Sequence, residues 1–139
     1  MLPATSRLRC RSDFSRIARR GHRRVVHKVE KPHEPLLVLH WQRDVPNSPV
    51  ARLGLIIGRT VGNAVIRHRL ARRLRHLMRS ELAALPSGTD IVLRALPRSA
   101  CASSAELAIA INPVLARIRQ VVAQQEPGRT ARKAAKVSS

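Results

Sequence analysis

Apolar residues recur at two spacings along this chain, and the alternation between them predicts its elements. Phe14, Ile17 and Ala18 form a one-sided stripe at helical spacing. Ser12 can cap that helix, Asp13 falls in its first turn, and Gly21 follows its end. Val25–Val29 predicts a first short strand, and Glu30–Pro35, with prolines at both Pro32 and Pro35, predicts a loop. Leu36–Trp41 predicts a second strand, Asp44–Pro49 a turn, and Ala51–Arg59 a third strand bounded by Gly58.

A long helix follows. Asn63 suits its N-cap, and the pattern runs to about Ala84, before Pro86-Ser87-Gly88. Ile66, Leu70, Leu74, Leu77 and Leu85 share one face, with Met78 and Leu82 at its edge. Thr89-Asp90 opens a fourth strand, Ile91–Leu96, ended by Pro97. Ser103 with Glu106 forms a capping box for a last helix reaching about Gln125, which Pro113 is expected to kink or divide. The order α, β, β, β, α, β, α suggests one sheet covered by helices. Residues 1–125 are read as one domain, and 126–139 as a basic, disordered tail punctuated by Gly and Pro.

Charge changes this picture from a generic small domain to a specific kind of binder. The 139 residues carry 27 Lys plus Arg against 8 Asp plus Glu, a net charge of +19. Self-repulsion on that scale is relieved by a polyanion, first of all nucleic acid, with an anionic membrane surface second. Arg dominates over Lys, which favours forked phosphate contacts. No apolar run approaches a bilayer span, and the N-terminus lacks a secretory apolar segment. Residues 1–24 are Arg-rich enough to consider a transit segment, but Asp13 and the helix cap argue for part of the domain. Cys10 and Cys101 lie far apart and fit two reduced thiols of a cytoplasmic protein. His27, His33 and His40 are not at ligand spacing, so no metal site is expected.

The charge concentrates where acids are missing. Between Asp44 and Glu81 there is no carboxylate, while Arg52, Arg59, Arg67, Arg69, Arg72, Arg73, Arg75 and Arg79 all occur. On a helical projection, His68, Arg69, Arg72, Arg75, His76 and Arg79 fall opposite the Leu stripe, Arg73 falls on its flank, and Arg67 projects toward the apolar arc. Like charges three and four residues apart each cost a few tenths of a kcal/mol, and Arg67 and Arg69 oppose the helix dipole. A solvated face would not need such unrelieved repulsion; phosphate contact explains it. Phe14 and Trp41 are the only aromatics, so a base-stacking platform is poorly supported. Strands rather than a short helix precede the basic helix, which argues against a helix-turn-helix DNA reader. Asp13, Asp44, Glu81 and Asp90 are scattered, so an independent protein nuclease is not expected. A folded RNA, read by shape and phosphate, is the expected partner.

The stretch Arg52-Leu-Gly-Leu-Ile-Ile-Gly58-Arg-Thr-Val-Gly-Asn63-Ala-Val-Ile-Arg-His-Arg-Leu-Ala-Arg-Arg-Leu-Arg75 resembles the signature of the bacterial ribonuclease P protein subunit family. Leu2-Pro3, Arg7-Leu8, Asp13-Phe14 and Gly21 resemble the family's opening, and Gly88–Pro97 its fourth strand. The resemblance covers about residues 1–122. A ribosomal protein would explain the size and charge but not this motif.

The resemblance implies an α+β fold, an αβββαβα sandwich with one central mixed sheet and a left-handed β-α-β crossover. It implies a one-RNA, one-protein holoenzyme acting on precursor tRNA, in which the catalytic RNA holds Mg2+ and removes the 5′ leader, so no catalytic residue and no cofactor is expected in the protein. By position, Asn63, Arg67, His68, Arg69, Arg72, Arg73, Arg75 and Arg79 would face the catalytic RNA. Phe14, Ala18, Leu36, Val38, His40, Gly58 and Arg59 would line the leader cleft. The chain departs from the family at His68, where Asn is usual, at Ala71 (Lys) and at His76 (Glu). Ala18 and His40 stand where aromatics are frequent, which weakens the stacking part of leader binding.

Overall fold

In the computed structural model the described residues are 7–8, 11–43 and 50–138; side chains at 11–13, 32 and 125–138 are outside the description. The elements are α1 (Arg11–Arg20), β1 (His22–Lys28), β2 (Lys31–Arg43), β3 (Arg52–Ile56), α2 (Ala64–Ala84), β4 (Thr89–Ala95), a 3-10 turn (Pro97–Cys101) and α3 (Ser104–Ser138). The Asp44–Pro49 turn lies outside the described residues. The four strands form one mixed sheet in the order β1-β2-β4-β3. β1-β2 and β2-β4 are antiparallel, whereas β3 and β4 are parallel neighbours joined by α2.

Side-chain alternation divides the sheet into two faces. One carries Leu37, Leu39, Trp41, Leu53, Ile91 and Leu93, all buried in the main core with Leu70, Leu74 and Met78 of α2 and Leu107, Ile111, Leu115 and Ile118 of α3. Among the described residues the other face is covered by α1 and by Leu8. There Ile17, fully buried, packs with Leu8 and Val92, and Phe14 lies beside them. Phe14 also crosses Gly54 so closely that a Cβ there would stand 2.5 Å from its ring. Glycine at 54 thus sets how near α1 approaches the sheet.

Several expectations are corrected. Helix α1 begins at Arg11, so Ser12 is inside the first turn rather than before it. The expected loop over Glu30–Pro35 is largely strand, because β2 starts at Lys31. Its pairing with β1 is irregular there: Val26 pairs with Leu37 but His27 with Pro35, so Leu36 is an extra residue. This is a bulge beside a proline that cannot donate to the ladder.

In α2 the buried stripe is Leu70, Ala71, Leu74, Met78 and Leu82, so Met78 and Leu82 are central and Ile66 and Leu77 are only partly buried. Pro113 does not divide α3. Pro113 and Ile109 are both exposed, so the Ile109 carbonyl released by the missing N–H faces water. The α3 backbone continues to Ser138, beyond the end expected near Gln125.

The start and stop signals of the other elements act as the sequence suggests. The Ile66 N–H donates to Asn63 Oδ1 at 3.0 Å, capping α2. Gly88, at φ 82°, makes the turn into β4. The Glu106 N–H donates to Ser103 Oγ at 3.1 Å, and the Ser103 N–H to Glu106 Oε1 at 3.4 Å, closing the capping box.

Candidate nucleic-acid interface

The helix α2 presents its basic side chains in three environments. His68, Arg69, Arg72, His76 and Arg79 are exposed on its outer face. The first turn has no acid to offset them. Arg67 and Arg75 turn toward β3, where they line an open groove of about 320 Å3 with Leu55, Ile57, Ala64, His68 and Ala71. Arg67 Nε is buried there with no hydrogen-bond partner. A buried guanidinium nitrogen lacking an acceptor suits an external anion at the groove. Ala71 is part of the groove wall and is nearly buried, so the long cation usual in the family has no counterpart here.

Arg73 is different. Its Nη1 donates to the Ala102 carbonyl at 3.1 Å, tying α2 to the end of the 3-10 turn. One of its donors is therefore committed to the fold, which qualifies its expected role as a purely RNA-facing group. Asn63 is exposed at the start of α2, and its side-chain oxygen is occupied by the cap. Glu81, the acid that ends the carboxylate-free stretch, accepts from Arg119 Nη1 at 2.8 Å and is spent on holding α2 against α3.

The second candidate surface is the sheet face beside α1. Val38 and His40 alternate with the core residues Leu37, Leu39 and Trp41, so they point to this face. Their register partners extend it: Arg23 on β1 faces His40, and Arg94 on β4 faces Val38. Ile56 on β3 pairs with Arg94 and is 40% exposed. Gly58 and Arg59 follow β3 and are exposed, with the Val61 N–H donating to the Gly58 carbonyl at 3.2 Å. Phe14 is half-buried and Ala18 exposed, one turn apart on the covering helix.

Leu36 does not join this surface. The bulge places it in the main core on the opposite side, 2% exposed. Strand alternation from Val38 alone suggests otherwise, because Leu36 and Val38 have the same parity. Arg23 and Arg94 were absent from the expected cleft. Their signal was available: Arg94 is the one cation interrupting the apolar run Ile91–Leu96.

An acid cluster anchors the covered end of this face. Asp90, 1% exposed, accepts from Arg52 Nε at 2.9 Å and Nη2 at 2.8 Å, and from Arg16 Nη2 at 3.0 Å. These bonds join α1, β3 and β4. His40 sits at the open end. Burial first, then the charges of Arg23 and Arg94, hold its imidazole below the usual histidine range. It is therefore neutral near pH 7. Its Nδ1 is buried with no hydrogen-bond partner.

Among the described residues no three His, Cys, Asp or Glu gather where they could hold a metal ion. No described helix is long and apolar enough to cross a membrane.

The family model described as ribonuclease P matches residues 2–119. The chain is 42% identical over 120 residues to the ribonuclease P protein component of Acidothermus cellulolyticus, covering 86% of this chain and 93% of that one. It is 43% identical over 131 residues to the component from Rhodococcus erythropolis, covering 91% and 98%. Among solved structures, the ribonuclease P protein of Staphylococcus aureus superposes with a TM-score of 0.68 at 21% identity, over 82% of this chain and 95% of that one. That of Thermotoga maritima gives 0.63 at 23% identity, over 80% and 96%. These two likenesses concern the fold.

Proposed function

Because the chain belongs to the ribonuclease P protein family, we propose that it binds a catalytic RNA through α2 and the 5′ leader of precursor tRNA across the open sheet face. The holoenzyme is an endoribonuclease that releases the mature tRNA 5′ end. The RNA holds the magnesium ions and performs the phosphodiester hydrolysis. The protein's part is to bind and to orient. It acts as one copy per RNA in the cytoplasm, with the basic segment 126–139 as an appendage to the domain.

The observation that carries this reading is the row of exposed basic side chains on α2, Arg69, Arg72 and Arg79 with His68 and His76 between them, and no carboxylate among them. In water such a row opposes its own helix. Against RNA phosphates the same charges release counterions, and binding weakens steeply with salt. Arg67 and Arg75 add forked donors at the groove beside β3, where a folded RNA backbone can enter.

The leader surface works by position. α1 is fixed to the sheet by the Arg16–Asp90–Arg52 cluster. A strand lying between α1 and the exposed Gly58-Arg59 turn is held at a set distance from α2, and hence from the RNA bound there. That constraint turns leader binding into placement of the scissile phosphate.

The test is precursor-tRNA cleavage at low magnesium with RNA alone, protein alone and both. Efficient cutting by the mixture only, giving a mature 5′ end, supports the reading. A protein that adds nothing to the RNA overturns it.

A further inference from the structure

Among the described residues the leader surface of this chain carries no exposed Phe, Tyr or Trp ring. Its aromatics are one Phe and one Trp, with no Tyr. Trp41 is 8% exposed on the opposite face of the sheet, stacked on His22 at 4.3 Å. Phe14 is pressed on Gly54 beside Ile17 and Val92. Ala18 offers only a methyl group. A single strand of RNA entering this face finds no exposed Phe, Tyr or Trp on which to stack its bases, and among the described residues one small ring, the half-buried imidazole of His40.

It finds cations instead. Arg23 and Arg94 are both exposed, and each stands beside the neutral ring of His40. From the strand pairing they are two strands and two residues apart, roughly 12 Å between Cα atoms. The floor between them is apolar, formed by Val25, Val38 and Val92, and the exposed edge of Ile56 continues it beyond Arg94.

Among the described residues no carboxylate pairs with them. Asp90 is saturated by Arg16 and Arg52, Glu34 pairs with Arg98, Glu81 with Arg119, and Glu106 with Lys28. An arginine on an apolar strand surface, with its neighbouring acids committed elsewhere, is the arrangement that an external phosphate completes.

We propose that Arg23, His40 and Arg94 form a phosphate-gripping row, so that this chain holds a single RNA strand by its backbone rather than by stacking or reading its bases. The two guanidiniums supply forked donors. The imidazole between them supplies one N–H to a phosphate oxygen, which a neutral ring still carries. Phosphates are common to every sequence, so the grip is indifferent to which bases the leader contains. The inference rests on the proposed leader-binding function of this face.

The experiment uses holoenzyme reconstituted with R23Q/R94Q and the binding of precursor tRNAs carrying two leaders of unrelated sequence, with leaderless tRNA as reference. The variant is expected to bind both precursors roughly tenfold more weakly, with log K against log salt flatter by about 1.4, and leaderless tRNA unchanged. R94K in the wild-type background retains most of the affinity, whereas a requirement for side-chain bulk alone would leave R94Q equally good. Both Arg sites are exposed, and a thermal melt equal to wild type separates loss of grip from loss of fold.

Unchanged affinity and slope in R23Q/R94Q overturns the row. So does a loss confined to one leader, which means that bases are read. A wild-type holoenzyme that binds precursor and leaderless tRNA equally instead removes the leader-binding reading on which the proposal stands.

Discussion

The two faces of the sheet use the same four strands for opposite ends. Leu37, Leu39, Ile91 and Leu93 are fully buried beneath α2 and α3, a packed layer in which volume is everything. One residue along each strand, Val38, His40 and Arg94 point to the other face, where Val38 is buried, His40 half-buried and Arg94 exposed. Most of the packed core therefore lies on one face, and the other is the one proposed to bind the leader. A strand can serve both because its side chains alternate.

The sharpest way to break this division is to damage the packed face. Leu93→Ala removes a fully buried side chain between β4's neighbours and the helices, and should cost about 2–5 kcal/mol in urea unfolding. Arg94→Ala, its immediate neighbour, should cost under about 0.5 kcal/mol by the same measurement. Comparable losses would show that the faces are not separate in the way described.

The Asp90 cluster tests the seam where α1 closes part of the open face. Asp90→Asn leaves Arg16 and Arg52 facing a neutral amide, with the carboxylate site 2% exposed and the arginines 29% and 26% exposed. Solvent reaches the arginines, so the loss should be about 1–3 kcal/mol rather than that of a sealed ion pair. Denaturant midpoints will report it, and leader affinity should fall with it as α1 loosens.

A smaller effect separates surface charge from capping. The bond to Lys28 holds the Glu106 carboxyl below its usual range, and the same bond raises the Lys28 ammonium. A depressed carboxyl contributes stability above its unfolded pKa, lost as pH falls through the folded value. A raised ammonium contributes below its unfolded pKa, lost as pH rises through the folded value. Glu106→Gln keeps the capping acceptor and removes the charge. Wild type should melt slightly higher at neutral pH, with the difference vanishing in acid. A difference that persists in acid would assign the effect to the cap instead.

Local chemistry was the part of the fold legible in the sequence. Asn63 and the Pro86-Ser87-Gly88 stop define α2, and Ser103 with Glu106 starts α3, because caps act over three or four residues. Arg67's bend toward the strands was also readable, as its projection onto the apolar arc leads to the groove with Leu55 and Ile57.

What escaped depends on distant partners. The bulge that moves Leu36 to the core arises from how β2 meets β1 around Pro35, and a one-residue slip reverses a side chain's face. Asp90 looked like one of several scattered acids, since Arg16 and Arg52 reach it only after folding. Pro113 is expected to kink or divide its helix, yet α3 runs through it undivided, with Pro113 and Ile109 both on the exposed side, a fact of packing rather than of sequence. Arg23 and Arg94 become neighbours of His40 only through strand pairing.

The most direct test of the account compares Arg69→Ala/Arg72→Ala on α2 with R23Q/R94Q on the sheet, measuring two affinities for each: protein for catalytic RNA, and assembled holoenzyme for precursor tRNA relative to leaderless tRNA. The α2 variant should weaken assembly and flatten its salt dependence, gain a few tenths of a kcal/mol in stability from relieved repulsion, and retain leader discrimination once saturated. The sheet variant should assemble normally and lose the discrimination. If both variants weaken both affinities alike, the two faces form one undivided RNA surface, and the separation argued here is contradicted.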